Sequence, residues 1–164
     1  MKILNHHQIS QKIKRLSIEI LEQNYLETEI IFAGVNKNGW KFAQLLANEA
    51  RKRTEIPLHL TNIRLNPADP LSEDIVIDRP LASIAGKTII LVDDVSNTGR
   101  TLFYAFKPLL AALPAKIQVA VLVDRTHKAF PVQVDFCGLS LATTLKEHIE
   151  VSLADDDHYE AALH

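Results

Sequence analysis

The sequence predicts an α/β domain built on a central parallel sheet flanked by helices, and three observations predict it. Short runs of Ile, Leu and Val recur without polar alternation, stretches with helical spacing separate them, and the strongest run, Thr88–Asp93, leads into the acid pair Asp93-Asp94 and a turn. Strands without alternation are buried on both faces, as in a parallel sheet covered by helices on either side. The 164 residues, 47% hydrophobic and 23% charged, match a single domain over 1–164. A chain of this size can build a core without a disulfide or a structural metal.

Ile9, Ile13, Leu16 and Ile20 recur at spacings of four and three, which predicts a helix over approximately His6–Gln23. Glu29–Gly34 reads as a buried strand, Asn36–Gly39 as a polar loop, and Trp40–Arg53 as a second helix through Phe42, Leu45 and Leu46. Trp40 opens that helix as a packing residue. Leu58–Leu65 is the next strand. In Asn66–Gly86, Pro67, Pro70 and Pro80 stand among Asp69, Glu73, Asp74 and Asp78, so a long helix is excluded and a lid, hairpin or arm is expected. After Thr88–Asp93, Gly99 lies in the turn before a helix that starts at Arg100 and is kinked or ended by Pro108. Ile117–Val123 is a further strand, with Val132–Phe136 and Ile149–Leu153 as shorter ones.

Bulk properties exclude several classes. Cys137 is the only cysteine, so no internal disulfide forms, which fits a reducing compartment. Met1–Ser10 lacks the apolar core of a signal peptide, and no run approaches the roughly 20 apolar residues of a membrane span. A soluble, cytoplasmic protein with no membrane partner is expected. The net charge of −2 gives no overall pull toward nucleic acid. Lys12, Lys14, Arg15 and Arg51–Arg53 form local basic groups, read first as solvated faces.

The chemistry concentrates in Ile89-Ile90-Leu91-Val92-Asp93-Asp94-Val95-Ser96-Asn97-Thr98-Gly99-Arg100-Thr101. At the carboxyl end of a parallel strand, the next helix aims its free N–H groups and positive dipole end at the loop, which makes an anion site. Ser96, Thr98 and Thr101 add hydroxyl donors, and Gly99 permits close backbone approach. Asp93 and Asp94 are acceptors, suited to sugar hydroxyls or a hydrated divalent cation. The plainer alternative is a capped helix after a turn. The Walker phosphate-loop spacing is absent, and so is any His/Cys cluster with zinc spacing.

This segment resembles the phosphoribosyl pyrophosphate (PRPP) motif of type I phosphoribosyltransferases, and the chain from about residue 3 to 153 resembles the PyrR family of pyrimidine-operon regulators with uracil phosphoribosyltransferase activity. A second signature carries the likeness further: Ala120-Val121-Leu122-Val123-Asp124-Arg125-Thr126-His127-Lys128-Ala129-Phe130-Pro131-Val132. The resemblance implies a type I phosphoribosyltransferase fold with a small flexible hood over approximately 66–86. It implies ribose contacts from Asp93 and Asp94, a 5-phosphate cradle in Ser96–Thr101, and a pyrophosphate loop at Asn36, Lys37, Asn38 and Gly39, often with a non-proline cis peptide. It gives Lys37 and Arg64 catalytic charges and places the base near Val123, Asp124, Arg125 and His127. Asn97 stands where purine enzymes carry an Asp, which favours a pyrimidine. The implied reaction is uracil + PRPP to UMP + pyrophosphate, with Mg²⁺ entering on PRPP near Asp93 and Asp94 and no direct protein ligands. The implied alternative is a nucleotide-sensing RNA-binding regulator, and a third reading is a relative without catalysis. A homodimer or homotetramer is the implied assembly.

The family pattern is broken in three places. Lys37-Asn38-Gly39 shifts the basic residue of Thr-Arg-Gly, Arg64-Leu65-Asn66-Pro67 replaces Arg-Asp-Asp, and Ile18, beside a retained Glu19, replaces a histidine.

Overall fold

A computed structural model describes residues 1–144 and 146–164. A six-stranded sheet carries the architecture, in the order β4-β3-β2-β5-β6-β7. Its strands are β2 (Ile30–Val35), β3 (Leu58–Arg64), β4 (Val76–Ile77), β5 (Thr88–Ser96), β6 (Lys116–Arg125) and β7 (Phe136–Leu141). All neighbours are parallel except β4, which returns antiparallel to β3. Strand alternation sorts the apolar residues between the faces. Ile30, Phe32, Ile90 and Val92 face the core shared with α1 (His6–Gln23) and α2 (Asn36–Arg51), whereas Ile31, Ala33, Ile89 and Leu91 face the one shared with α3 (Arg100–Leu110). Both faces are therefore covered, as the lack of alternation predicted.

Helix α1 has the predicted bounds. Asn5 starts it through a capping box, its side chain accepting from Gln8 N–H while the Gln8 side chain accepts from Asn5 N–H, each at 2.9 Å. A second, three-stranded sheet, order β1-β9-β8, joins β1 (Lys2–Leu4), β8 (Ile149–Ser152) and β9 (Glu160–Leu163) in antiparallel pairs. Leu4, Ile149, Val151 and Ala161 anchor it to the α1/α2 core.

Several expectations need correction. Asn36–Gly39 is the first turn of α2 rather than a loop, and among the described residues no peptide bond is cis. The backbone bends at Asn36, whose φ of 53° lies in the left-handed region that Asn tolerates. Asn62 Nδ2 donates to the carbonyls of Gly34 and Asn36, and Asn36 Oδ1 accepts from Leu65 N–H at 3.0 Å, so side-chain bonds to β3 hold the bend. Val132–Phe136 is not a strand. Asp135 turns its carboxylate onto Val119 N–H at 2.8 Å, and β7 begins only at Phe136. Pro108 stands inside α3, which runs on to Leu110. The segment 66–86 holds β4 and a 3-10 turn at Leu81–Ser83, with Asp78 accepting from Thr61 and from Asn62 N–H.

Candidate active site

The carboxyl ends of β2 and β5 open into a cleft of about 440 Å³, where α2 and α3 begin. Val35, Asn36, Lys37 and Asn38 line it from the β2–α2 junction, Asp93, Asp94, Val95, Asn97 and Thr101 from the β5–α3 junction, and Pro67 from the hood segment. Residues far apart in sequence meet here because β2 and β5 are adjacent parallel strands, with Gly34 opposite Val92. A larger groove, about 540 Å³, lies against α1 and is lined by Ile3, Lys12, Arg15 and Leu139, among others. It contains neither sequence signature and lies apart from the strand ends, so the smaller cleft is the stronger chemical site.

Neither flanking helix is capped by the side chain of its N-cap residue, and the first N–H of α3, that of Arg100, meets Thr98 Oγ1 only at a long 3.4 Å. Val35 precedes α2, Gly99 precedes α3, and neither offers a side-chain acceptor to the first-turn N–H groups. Gly99 adopts φ 86°, a conformation open to glycine, which lets the chain turn from β5 into α3 within three residues. Two uncapped helix N-termini thus converge on one cleft, each with unsatisfied donors and a positive dipole end.

Between them lie the carboxylates. Asp93 is 8% exposed and accepts from Asp94 N–H at 2.9 Å. Burial, reinforced by the Asp94 carboxylate, pushes its acid well above the ordinary carboxylate range. Asp94 accepts from Asn38 Nδ2 at 3.0 Å, linking the two junctions. Among the described residues neither acid has a cationic partner within ion-pair distance. Ser96 is buried, and among the described residues its hydroxyl has no hydrogen-bond partner.

The second signature sits beside the first because β6 pairs with β5, with Val123 opposite Val95 and Asp124 opposite Ser96. Val123 is buried, and His127 is exposed. Arg125 is fully engaged: Nε donates to Thr143 at 2.6 Å, one terminal nitrogen to Asn97 Oδ1 at 3.2 Å and the other to Thr144 O at 2.7 Å. Arg64 is exposed at the end of β3, paired with Val76 and outside the cleft lining. Arg100 reaches Ala68 O at 3.4 Å, a contact between α3 and the hood segment.

The sequence reading missed one wall. His148, Ile149, Glu150 and Val151 of β8 and its approach complete the cleft. Only the packing of the small sheet brings them there, and no local pattern announces it. Of the basic groups, Lys12 and Arg15 donate to Gly138 O on the edge strand β7, while Lys52 and Arg53 pair with Glu49.

A model of the phosphoribosyl transferase domain matches residues 1–156. The bifunctional protein PyrR 1 of Lactiplantibacillus plantarum is 35% identical over 157 residues, covering 90% of this chain and 87% of that protein. The bifunctional protein PyrR of Haemophilus ducreyi is 32% identical over 168 residues, 96% and 90% of the two chains. Among solved structures, a hypoxanthine-guanine phosphoribosyltransferase from Bacillus anthracis superposes with a TM-score of 0.69 at 20% identity, covering 86% of this chain and 82% of that one. A hypoxanthine phosphoribosyl transferase of Trypanosoma cruzi gives 0.72 at 18% identity, covering 87% and 78%. At such identities the structural likeness speaks for the fold.

Proposed function

The chain belongs to the phosphoribosyltransferase family and, within it, to the PyrR proteins, and from that premise we propose that it transfers the phosphoribosyl group of PRPP to a pyrimidine base, converting uracil and PRPP to UMP and pyrophosphate. One observation carries the reading: two uncapped helix N-termini flank a pair of carboxylates that lack a cationic partner. PRPP has the complementary layout, with a phosphate at one end, a pyrophosphate at the other and sugar hydroxyls between.

In this reading the α3 side takes the 5-phosphate. The first-turn N–H groups of α3 and the partnerless Ser96 hydroxyl supply donors, and Thr98 and Thr101 add theirs. Asp93 and Asp94 accept from the ribose hydroxyls. The α2 side, Asn36–Gly39 with the exposed Lys37, receives the pyrophosphate. Arg64 would join it only if the hood segment swings over the cleft. The base lies toward Val123–Arg125 and His127, where Asn97, braced by Arg125, offers an amide and cannot serve as a proton acceptor in the way an Asp can.

Two carboxylates, one buried and one half-buried, that form no ion pair among the described residues fit a hydrated Mg²⁺ brought in on PRPP. Bound there, the ion would neutralise charge on the departing pyrophosphate. The chain's own residues orient the ribose, exclude water from it and stabilise the charge that develops as the bond to pyrophosphate breaks. RNA is the second partner of the proposal, supported by the chain's likeness to the PyrR proteins. Assembly as a homodimer or homotetramer belongs to the same reading.

The test is pyrophosphate release from PRPP with Mg²⁺ and a panel of bases. Uracil is expected to support turnover and hypoxanthine and guanine are not. Absence of release with every base removes the enzymatic reading.

A further inference from the structure

Lys128 has no role in the site as described so far, yet its position relative to the phosphate turn is unusual. The side chain is 22% exposed. Its Nζ lies 2.9 Å from Asn97 O, 2.6 Å from Arg125 O, 2.5 Å from Asp124 Oδ1 and 3.4 Å from Ser96 O. An ammonium has three protons, so the three short contacts saturate it and Ser96 O shares the field. The next two residues continue the pattern, because Ala129 N–H and Phe130 N–H both donate to Thr98 O, at 2.9 and 3.1 Å. The carbonyls of Ser96, Asn97 and Thr98 are thus all turned toward one short segment, 128–130.

A trans peptide points its carbonyl and the following N–H in opposite directions. Holding those three carbonyls on the side of residues 128–130 therefore aims the N–H groups of Asn97, Thr98 and Gly99 the other way. We propose that Lys128 is a positioning residue that pins the Ser96–Thr98 turn with its amide hydrogens outward, the orientation an anion needs, before any ligand arrives. The inference rests on the reading of this turn as the 5-phosphate cradle. The Asp124 carboxylate fixes the ammonium from below, at the strand position opposite Ser96. Without the ammonium, Asn97 O loses this hydrogen bond, and the turn is free to rotate peptides so that carbonyls face the phosphate. Preorganised donors lose their advantage when the turn must reorganise on binding.

The test measures calorimetric binding of ribose 5-phosphate and PRPP, the KM for each substrate, and thermal unfolding, for the wild-type chain, Lys128→Met and Lys128→Arg. Lys128→Met is expected to raise the Kd for ribose 5-phosphate and PRPP by the same factor, tenfold or more, with the KM for the base within about twofold of wild type. Lys128→Arg, which retains the charge and several donors, restores most of the affinity. Should Lys128→Met fail to fold, Lys128→Gln, with a neutral donor, must show the same phosphate-selective loss. Unchanged phosphate affinity overturns the proposal, as does an equal loss for every substrate alongside a lowered melting temperature. If the wild-type chain itself does not bind ribose 5-phosphate, the cradle reading fails instead.

Discussion

Asp93 carries a cost in stability that the proposed ribose contact would account for. Its carboxyl is buried at the end of β5 beside a second acid, and burial followed by Asp94 raises its affinity for a proton. The folded state then binds more protons than the unfolded chain between the ordinary carboxylate range and the raised folded value, so stability falls as pH rises through that window and levels off above it. Asp93→Asn removes the buried charge. It should stabilise the ligand-free protein at pH 8 by about 1–3 kcal/mol, with a smaller gain at pH 5, while weakening PRPP binding at least tenfold. Urea unfolding at the two pH values and calorimetry check both halves, and a destabilised variant would show that Asp93 serves the fold rather than the ligand. At this scale legibility depends on contiguity. Asp93, Asp94 and Ser96 could be read because they follow one another on one strand and turn. Lys128, His148 and Glu150 could not, since what they face is decided by strand pairing and by the small sheet.

Among the elements, α2 departs most from what the sequence suggests. Polar residues and a glycine at Asn36–Gly39 read as a loop, but the helix begins there because Asn62 and Leu65 of β3 and its exit bind the bend. Gly39 has a steric purpose in that turn. A Cβ there would stand 2.7 Å from Val92 O and 3.2 Å from Asp93 Oδ1, so the missing side chain lets α2 pass directly over the end of β5. Gly39→Ala should cost about 1–3 kcal/mol by overpacking and should raise the KM for PRPP, because α2 and Asp93 must part. Denaturation and kinetics on the variant decide it; unchanged values in both would mean the helix moves aside freely. In contrast, α1 was legible to its ends, since Ile9, Ile13, Leu16 and Ile20 all bury on one face. The β5 strand extended three residues beyond Asp93 because Val95 and Ser96 continue the pairing with β6.

For the whole molecule, the parallel sheet was readable from apolar runs without polar alternation set between helical stretches, whereas the three-stranded sheet was only partly so. Its strands are three or four residues long, and β1 and β9 carry too short a pattern to be recognised. Strand β9 lies between β1 and β8 and, among the described residues, is the sole sheet partner of each. Deleting residues 160–164 should therefore free β8, which walls the cleft, and lower the melting temperature by about 10 °C, at ~2–4 °C per kcal/mol for a chain of this length. Calorimetric PRPP affinity should fall in the same variant; intact affinity would show that the β8 wall stands without its partner. The geometry also imposes an order of events. Met1 and Leu163, 162 positions apart, exchange backbone hydrogen bonds. On a ribosome, then, β1 waits unpaired until everything from α1 through β8 has been made. One side of the cleft closes only when translation has delivered β9, so a nascent chain lacking that segment holds the β5–α3 turn but an unfinished wall.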